Sequence, residues 1–195
     1  MAVKWGFLEK NPLEKLSKLP ENNDDKWKYL TEKEFLRLEK AINPHYRDFL
    51  VFLTYTGLRL GDALRVRWED VDLEGEVILI RGSKTKGGKA FGVPMHPRVK
   101  EILAKRAENG GKGEVGRIFP HSDSNFRKEF KKALRKAGLP DIRIHDLRHT
   151  FASRLALKGV PIQQIQALLG HSQLTTTLRY AHLNPAVLRD AVARL

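Results

Sequence analysis

Apolar positions along the chain recur mainly at the three- and four-residue spacing of amphipathic helices, interrupted by one short β-branched stretch. Thr31-Glu32-Lys33-Glu34 fits a capping box, and Phe35, Leu38 and Ile42 form the stripe of the helix behind it. Tyr46 to Tyr55 is apolar nearly throughout and is closed by Thr56-Gly57, which predicts a second helix central to the core. Glu76 to Ile80 and Lys89 to Val93 read as strands, and the Gly82 to Gly88 turn between them carries Lys84 and Lys86. Helical spacing returns over His96 to Ala107 and over Ser122 to Ala137, where Phe126, Phe130 and Leu134 face away from a side rich in Arg and Lys. The expected fold class is mainly α with a small antiparallel β-sheet, an α+β architecture.

The stretch from Arg143 to Leu183 concentrates the unusual chemistry. Leu147, Phe151 and Leu155 fall on one helical stripe, so His145 and Arg148, three apart, share another side and are expected to present cations. Gly159-Val160-Pro161 breaks this helix, and Ile162, Ile165, Leu168 and Leu169 define the next one, which Gly170 ends just before His171. Thr175 to His182 reads as a last short helix carrying Tyr180, nine residues beyond His171.

Charge narrows the partner. The 195 residues hold 36 Lys and Arg against 23 Asp and Glu, a formal net charge of +13, which points to a polyanion, by default nucleic acid with an anionic membrane surface as the alternative. The basic residues lie within apolar helical patterns, so a folded basic surface is expected. There are no cysteines, which excludes disulfides and cysteine-based zinc sites. No apolar run approaches the roughly 20 residues that span a bilayer, and a cytoplasmic location without membrane contact is the simple expectation.

A Tyr among Arg, His and Lys, with no carboxylate cluster suited to Mg²⁺, suits phosphoryl transfer in which preorganised cations stabilise the non-bridging oxygens. Arg59 and Arg148 are candidate clamps. A Tyr hydroxyl with a reference pKa of about 10 needs such a clamp and a base, for which His145 is a candidate. Lys84, on a loop tip, could give the departing sugar oxygen its proton. No cofactor is called for.

Thr56-Gly57-Leu58-Arg59-Leu60-Gly61-Asp62, His145-Asp146-Leu147-Arg148-His149 and Leu169-Gly170-His171, with Tyr180 nine positions on, resemble the catalytic domain of tyrosine recombinases, the phage-integrase family that includes Xer-type enzymes. The likeness runs over about residues 25 to 190. It implies a site-specific recombinase or integrase that cleaves and rejoins double-stranded DNA through a 3′-phosphotyrosyl intermediate, without metal, ATP or a small-molecule cofactor. By the same likeness Arg59, Lys84, His145, Arg148 and His171 are catalytic and Tyr180 is the nucleophile. Asp62 stands where the family more often has Glu and is expected to orient a catalytic group, and His149 is expected to be a structural hydrogen-bonding residue behind the site. Residues 1–30 look like the end of an N-terminal domain's last helix plus a linker, and 31–195 like the catalytic domain. The expectation is therefore a catalytic-domain piece lacking the DNA-clamping half. A tail helix over about 184–195, with Val187, Leu188, Ala191 and Val192 as its stripe, is expected to dock on a second protomer or back on its own domain.

Three other readings compete. Val160 to Leu183 also scans as a helix-turn-helix, which would make the chain a non-enzymatic DNA-binding regulator. It leaves the order of Arg59, Lys84, His145 and Arg148 unexplained. His145 and His149 faintly imitate a zinc-binding HExxH helix, but the Glu is missing. An RNA-binding module lacks the exposed aromatics of single-strand readers. Lys86 remains an alternative to Lys84.

Overall fold

Thr31 caps helix α1 (Glu32–Ala41) through the expected capping box, its hydroxyl accepting from the Glu34 amide at 3.3 Å and its own amide donating to the Glu34 carboxylate at 2.8 Å. In the computed structural model residues 3, 5–10, 28–81, 90–108, 116–139, 141–171 and 173–183 are described. Lys84, Lys86 and the tail 184–195 lie outside them. Helix α2 (Pro44–Thr56) starts at Pro44 behind the Asn43 cap and ends at Gly57, which is left-handed at φ 66°. Phe49, Leu50, Val51, Phe52 and Leu53 are all buried, so α2 is enclosed on every side from Phe49 onward.

The one-turn helix α3 (Leu60–Ala63) follows, then a 3₁₀ turn over Trp68–Asp70. Three antiparallel strands come next in the order β1 (Val71–Asp72), β2 (Val77–Ile80), β3 (Phe91–Pro94), with Ile78 opposite both Val71 and Val93. Ile78, Ile80 and Val93 face the core while Leu79 faces out, the alternation of a one-sided sheet. The strand β1 adds to the two strands the sequence predicts. It is only two residues long and is turned back by the Asp72 carboxylate, which accepts from the amides of Glu74 and Gly75.

Helices α4 (Pro97–Glu108), α5 (Asp123–Lys136), α6 (Ile144–Leu157), α7 (Ile162–Leu169) and the one-turn α8 (Thr175–Leu178) complete the described chain, with a 3₁₀ turn over Ala181–Leu183. One large apolar core joins α1, α2, the sheet, α4 and α5 to Leu147 of α6. A smaller core holds Ala152, Ala156, Ile165, Leu169 and Tyr180. Helix α6 packs on both α2 and α7, and of the two cationic candidates on it His145 is exposed at its first turn while Arg148, three residues on, is buried. Arg148 is 3% exposed, and Asp146, His149, Thr150 and Ser153 are buried with it, so the expected division into a packing face and a cationic face is corrected.

Two further differences matter. Thr175 to His182 is one α-helical turn, α8, followed by a non-helical step at Tyr180 and the 3₁₀ turn, not a continuous helix. An element of one turn is too short to serve as a recognition helix lying in a major groove, which removes the geometric basis of the helix-turn-helix reading. Near the N-terminus the Gly6 amide donates to the Val3 carbonyl at 3.2 Å, and Gly6 sits at φ 74°, so this segment is a turn where it is described.

His121 lies in an aromatic nest of His45, Tyr46, Phe49 and Phe119, and its buried Nε2 has no hydrogen-bond partner. Burial, aided by the His45 and Arg106 charges, lowers its pKa to about 4. Burial likewise lowers His149 to about 4, with His145 next in weight. A folded-state pKa below the unfolded 6.5 means that the unfolded chain binds protons first as pH falls. Stability is therefore expected to be full above pH 6.5 and to decline between 6.5 and 4, by on the order of 1–2 kcal/mol for each of these residues at pH 5. Urea denaturation at pH 7.5 and pH 5 measures this. Equal stability at both would contradict it.

Candidate functional site

Arg148 is the structural centre of the site. Its two terminal nitrogens donate to the carbonyls of Gly57 at 2.8 Å and Leu169 at 2.7 Å. These carbonyls lie at the C-terminal ends of α2 and α7, where the helix dipole is negative and a cation is favoured. Each of those helices ends on a left-handed glycine, Gly57 at φ 66° and Gly170 at φ 62°. The two helix ends thus grip the guanidinium, leaving the rest of its five N–H donors for an anion. Burial, then the neighbouring charge of Arg59, lowers the Arg148 pKa to about 10, opposed by Tyr180 and Asp62. Arg148 therefore remains a cation at neutral pH despite its burial.

The two glycines have steric as well as conformational reasons. A Cβ on Gly57 would run into the Phe151 ring of α6, and one on Gly170 would come within 2.5 Å of the Phe91 ring of β3. Gly57→Ala is expected to cost about 2–4 kcal/mol, from left-handed strain and overpacking together. Urea denaturation reads this directly, and a change below about 1 kcal/mol would show that the junction yields easily.

Arg59 is exposed at the start of α3, directly after the α2 end that Arg148 grips. Its charge weighs on Arg148, His145 and His171, which puts the four groups in one electrostatic neighbourhood. His145 is exposed one turn before His149, and the two rings meet edge to face with centroids 4.7 Å apart. Its basicity is lowered by burial first and the Arg148 charge second. His171 follows the C-cap of α7, its Nδ1 paired with the Thr177 hydroxyl at 2.8 Å and its carbonyl accepting from the Gln166 amide at 3.1 Å. Burial and the Arg148 charge lower its pKa to about 4, so it is neutral at pH 7.

Tyr180 is only 2% exposed and sits in the smaller core with its hydroxyl 2.5 Å from His149 Nδ1. Burial raises its pKa to about 12, opposed by the charges of Arg179 and Arg148. Tyr180 and Arg148 lie close enough for the charge of each to bear on the titration of the other. The Asp62 carboxylate pairs with Arg65 at 2.5 Å, and its charge bears on Arg148.

Arg59, His145, Arg148, His149, His171 and Tyr180 thus converge where the ends of α2 and α7 meet the first turns of α6. The carbonyls of Gly57 and Leu169, and Thr177 and Gln166 beside His171, belong to the site although the sequence does not single them out as such. The two glycines are the only signal for the carbonyls, and Thr177 lies hidden in a run of three threonines.

The model of the phage integrase family matches residues 28–186. The integrase of Salmonella phage P22 is 29% identical over 93% of this chain, and tyrosine recombinase XerA of Pyrococcus furiosus is 32% identical over 86% of it. The chain spans about half of the P22 integrase (49%) and 61% of the XerA protein. Among solved structures, the catalytic domain of bacteriophage HP1 integrase superposes with a TM-score of 0.67 at 30% identity, covering 85% of this chain and 93% of that one. A crystal structure of XerA recombinase superposes with a TM-score of 0.69 at 27% identity, covering 91% of this chain and 66% of that one.

Proposed function

The chain belongs to the phage integrase family, and from that premise we propose that it is the catalytic domain of a site-specific DNA recombinase, cleaving and rejoining double-stranded DNA through a 3′-phosphotyrosyl bond. The observation that carries the reading is Arg148 held by the Gly57 and Leu169 carbonyls, directly beside His149, whose Nδ1 lies 2.5 Å from the Tyr180 hydroxyl. Arg148, gripped by two helix ends, and Arg59 take the non-bridging oxygens of the scissile phosphate. His145 and His171 add neutral donors to the same oxygens. Tyr180 attacks phosphorus, the bond to the 5′-oxygen breaks, and Lys84 gives that oxygen its proton. One phosphodiester is exchanged for another, so the step conserves bond energy and has no need of ATP.

Lys128, Lys131, Lys132, Arg135 and Lys136 are exposed on α5, which ends seven residues before the Arg143 cap of α6. We propose that this face offers cations to the DNA backbone. Replacing Lys131 and Lys132 by Ala is expected to weaken binding several-fold and to lower the slope of log affinity against log salt by about one for each phosphate no longer neutralised. An unchanged slope would exclude the face.

Residues 184–195 are proposed to dock on a second protomer or back on this domain, and the reading puts the protein in the cytoplasm. No described helix is long and apolar enough to cross a membrane. The test of the reaction is a duplex nicked beside the cleavage site, which traps the covalent intermediate. With EDTA present, an adduct stable to denaturing gels is expected; absence of any adduct on substrates carrying the chain's own site would sink the reading.

A further inference from the structure

We propose that His149, and not His145, accepts the Tyr180 proton during strand cleavage, acting as the base at the nucleophile. This rests on the recombinase reading above. Among the described residues His149 Nδ1 is the group in hydrogen-bond contact with the Tyr180 hydroxyl, at 2.5 Å, and both side chains are buried. His145 meets His149 ring to ring and is itself exposed, which suits it to face the phosphate.

The protonation states fit an acceptor. Among the described residues, the groups whose charges act on His149 include His145, Asp146 and Arg143 on or at the cap of its own helix, and Arg179 in the turn that carries Tyr180. Asp146 is buried and accepts from the Arg143 amide at 2.7 Å, so its charge is already engaged at the helix start. The net result is a neutral imidazole facing a neutral phenol. In the tautomer this role requires, protonated on Nε2, Nδ1 carries the lone pair, the phenol donates, and its oxygen lone pairs remain for phosphorus. No phenolate is stored in the core, where burial would penalise it. The proton moves only as the Tyr180 oxygen bonds to phosphorus. Nδ1 becomes protonated, the P–O5′ bond breaks, and the 5′-oxygen takes a proton from the acid assigned to Lys84. Rejoining runs the same transfers backwards, with the His149 imidazolium returning the proton to the phenol.

The sequence hid this role because His149 follows directly after Arg148 and reads as part of its motif, while its partner lies 31 residues away.

Two measurements on the full chain decide it. In ¹⁵N NMR of the wild type, His149 is expected to carry its proton on Nε2 with Nδ1 unprotonated and accepting from Tyr180; a protonated Nδ1 would overturn the proposal without any assay of cleavage. In the second, His149→Asn keeps an acceptor oxygen near the Nδ1 position but cannot hold a proton. It is expected to retain the wild-type melting temperature and DNA binding while adduct formation slows about 10²–10⁴-fold. Its rate is expected to climb with hydroxide where the wild type levels off. Substituting sulfur for the bridging 5′-oxygen makes the leaving group independent of an acid, so it is expected to rescue Lys84→Ala and not His149→Asn. A His149→Asn rate within about threefold of wild type, or rescue of it by sulfur, would assign the base elsewhere. If the wild type itself forms no adduct, the recombinase reading fails as a whole, an outcome distinct from a slow His149→Asn beside an active wild type.

Discussion

Arg148→Ala is expected to lower the rate of DNA cleavage by about 10²–10³, the loss that follows removal of one preorganised donor from a developing oxyanion. It is also expected to destabilise the fold, because the side chain joins two helix ends through the Gly57 and Leu169 carbonyls. Leaving two buried carbonyls without their charged partner costs about 2–4 kcal/mol. Arg148→Lys separates the two effects. A lysine keeps the charge but lacks the planar fork that reaches both carbonyls at once, so it should recover part of the stability and little of the rate. Adduct formation on a nicked duplex and urea denaturation measure the two halves. A variant that is destabilised yet cleaves at the wild-type rate would make Arg148 a structural bolt only.

Tyr180→Phe is expected to abolish the covalent adduct with DNA binding nearly intact. Only the nucleophilic oxygen is lost, and the ring still fills the smaller core beside Ala152, Ile165 and Leu169. The substitution also strands His149 Nδ1, which is buried. A stability loss of about 1–2 kcal/mol should accompany the loss of activity. The DNA affinity, carried by exposed cations, should stay within about twofold. An adduct of wild-type yield from the Phe variant would assign the nucleophile elsewhere.

What could be read from the sequence was whatever depends on short-range signals. The Thr31–Glu34 box, the Gly57 and Gly170 stops and the β-branched Val77–Ile80 strand each announce themselves within a few residues. The order of the motifs singled out Arg59, His145, Arg148, His171 and Tyr180 as candidates, and the fold brings them into one electrostatic neighbourhood. What could not be read depends on packing across the chain. Helix α6 carries Arg148 and His149 into the interior because α2 and α7 cover it from two sides, and no local period records that enclosure. The side chain of Arg148 is held by backbone carbonyls, which have no residue type to recognise. The single turn of α8 reflects the descent of Tyr180 into the smaller core, where its burial outweighs the modest helix preference of a threonine run.

The most direct test of the site is to digest the trapped adduct and find the nucleotide by mass spectrometry. Attachment through a 3′-phosphate to the peptide containing Tyr180, with a free 5′-hydroxyl on the released strand, is the expected result. A nucleotide on any other residue, or a 5′-phosphotyrosyl bond, would contradict it.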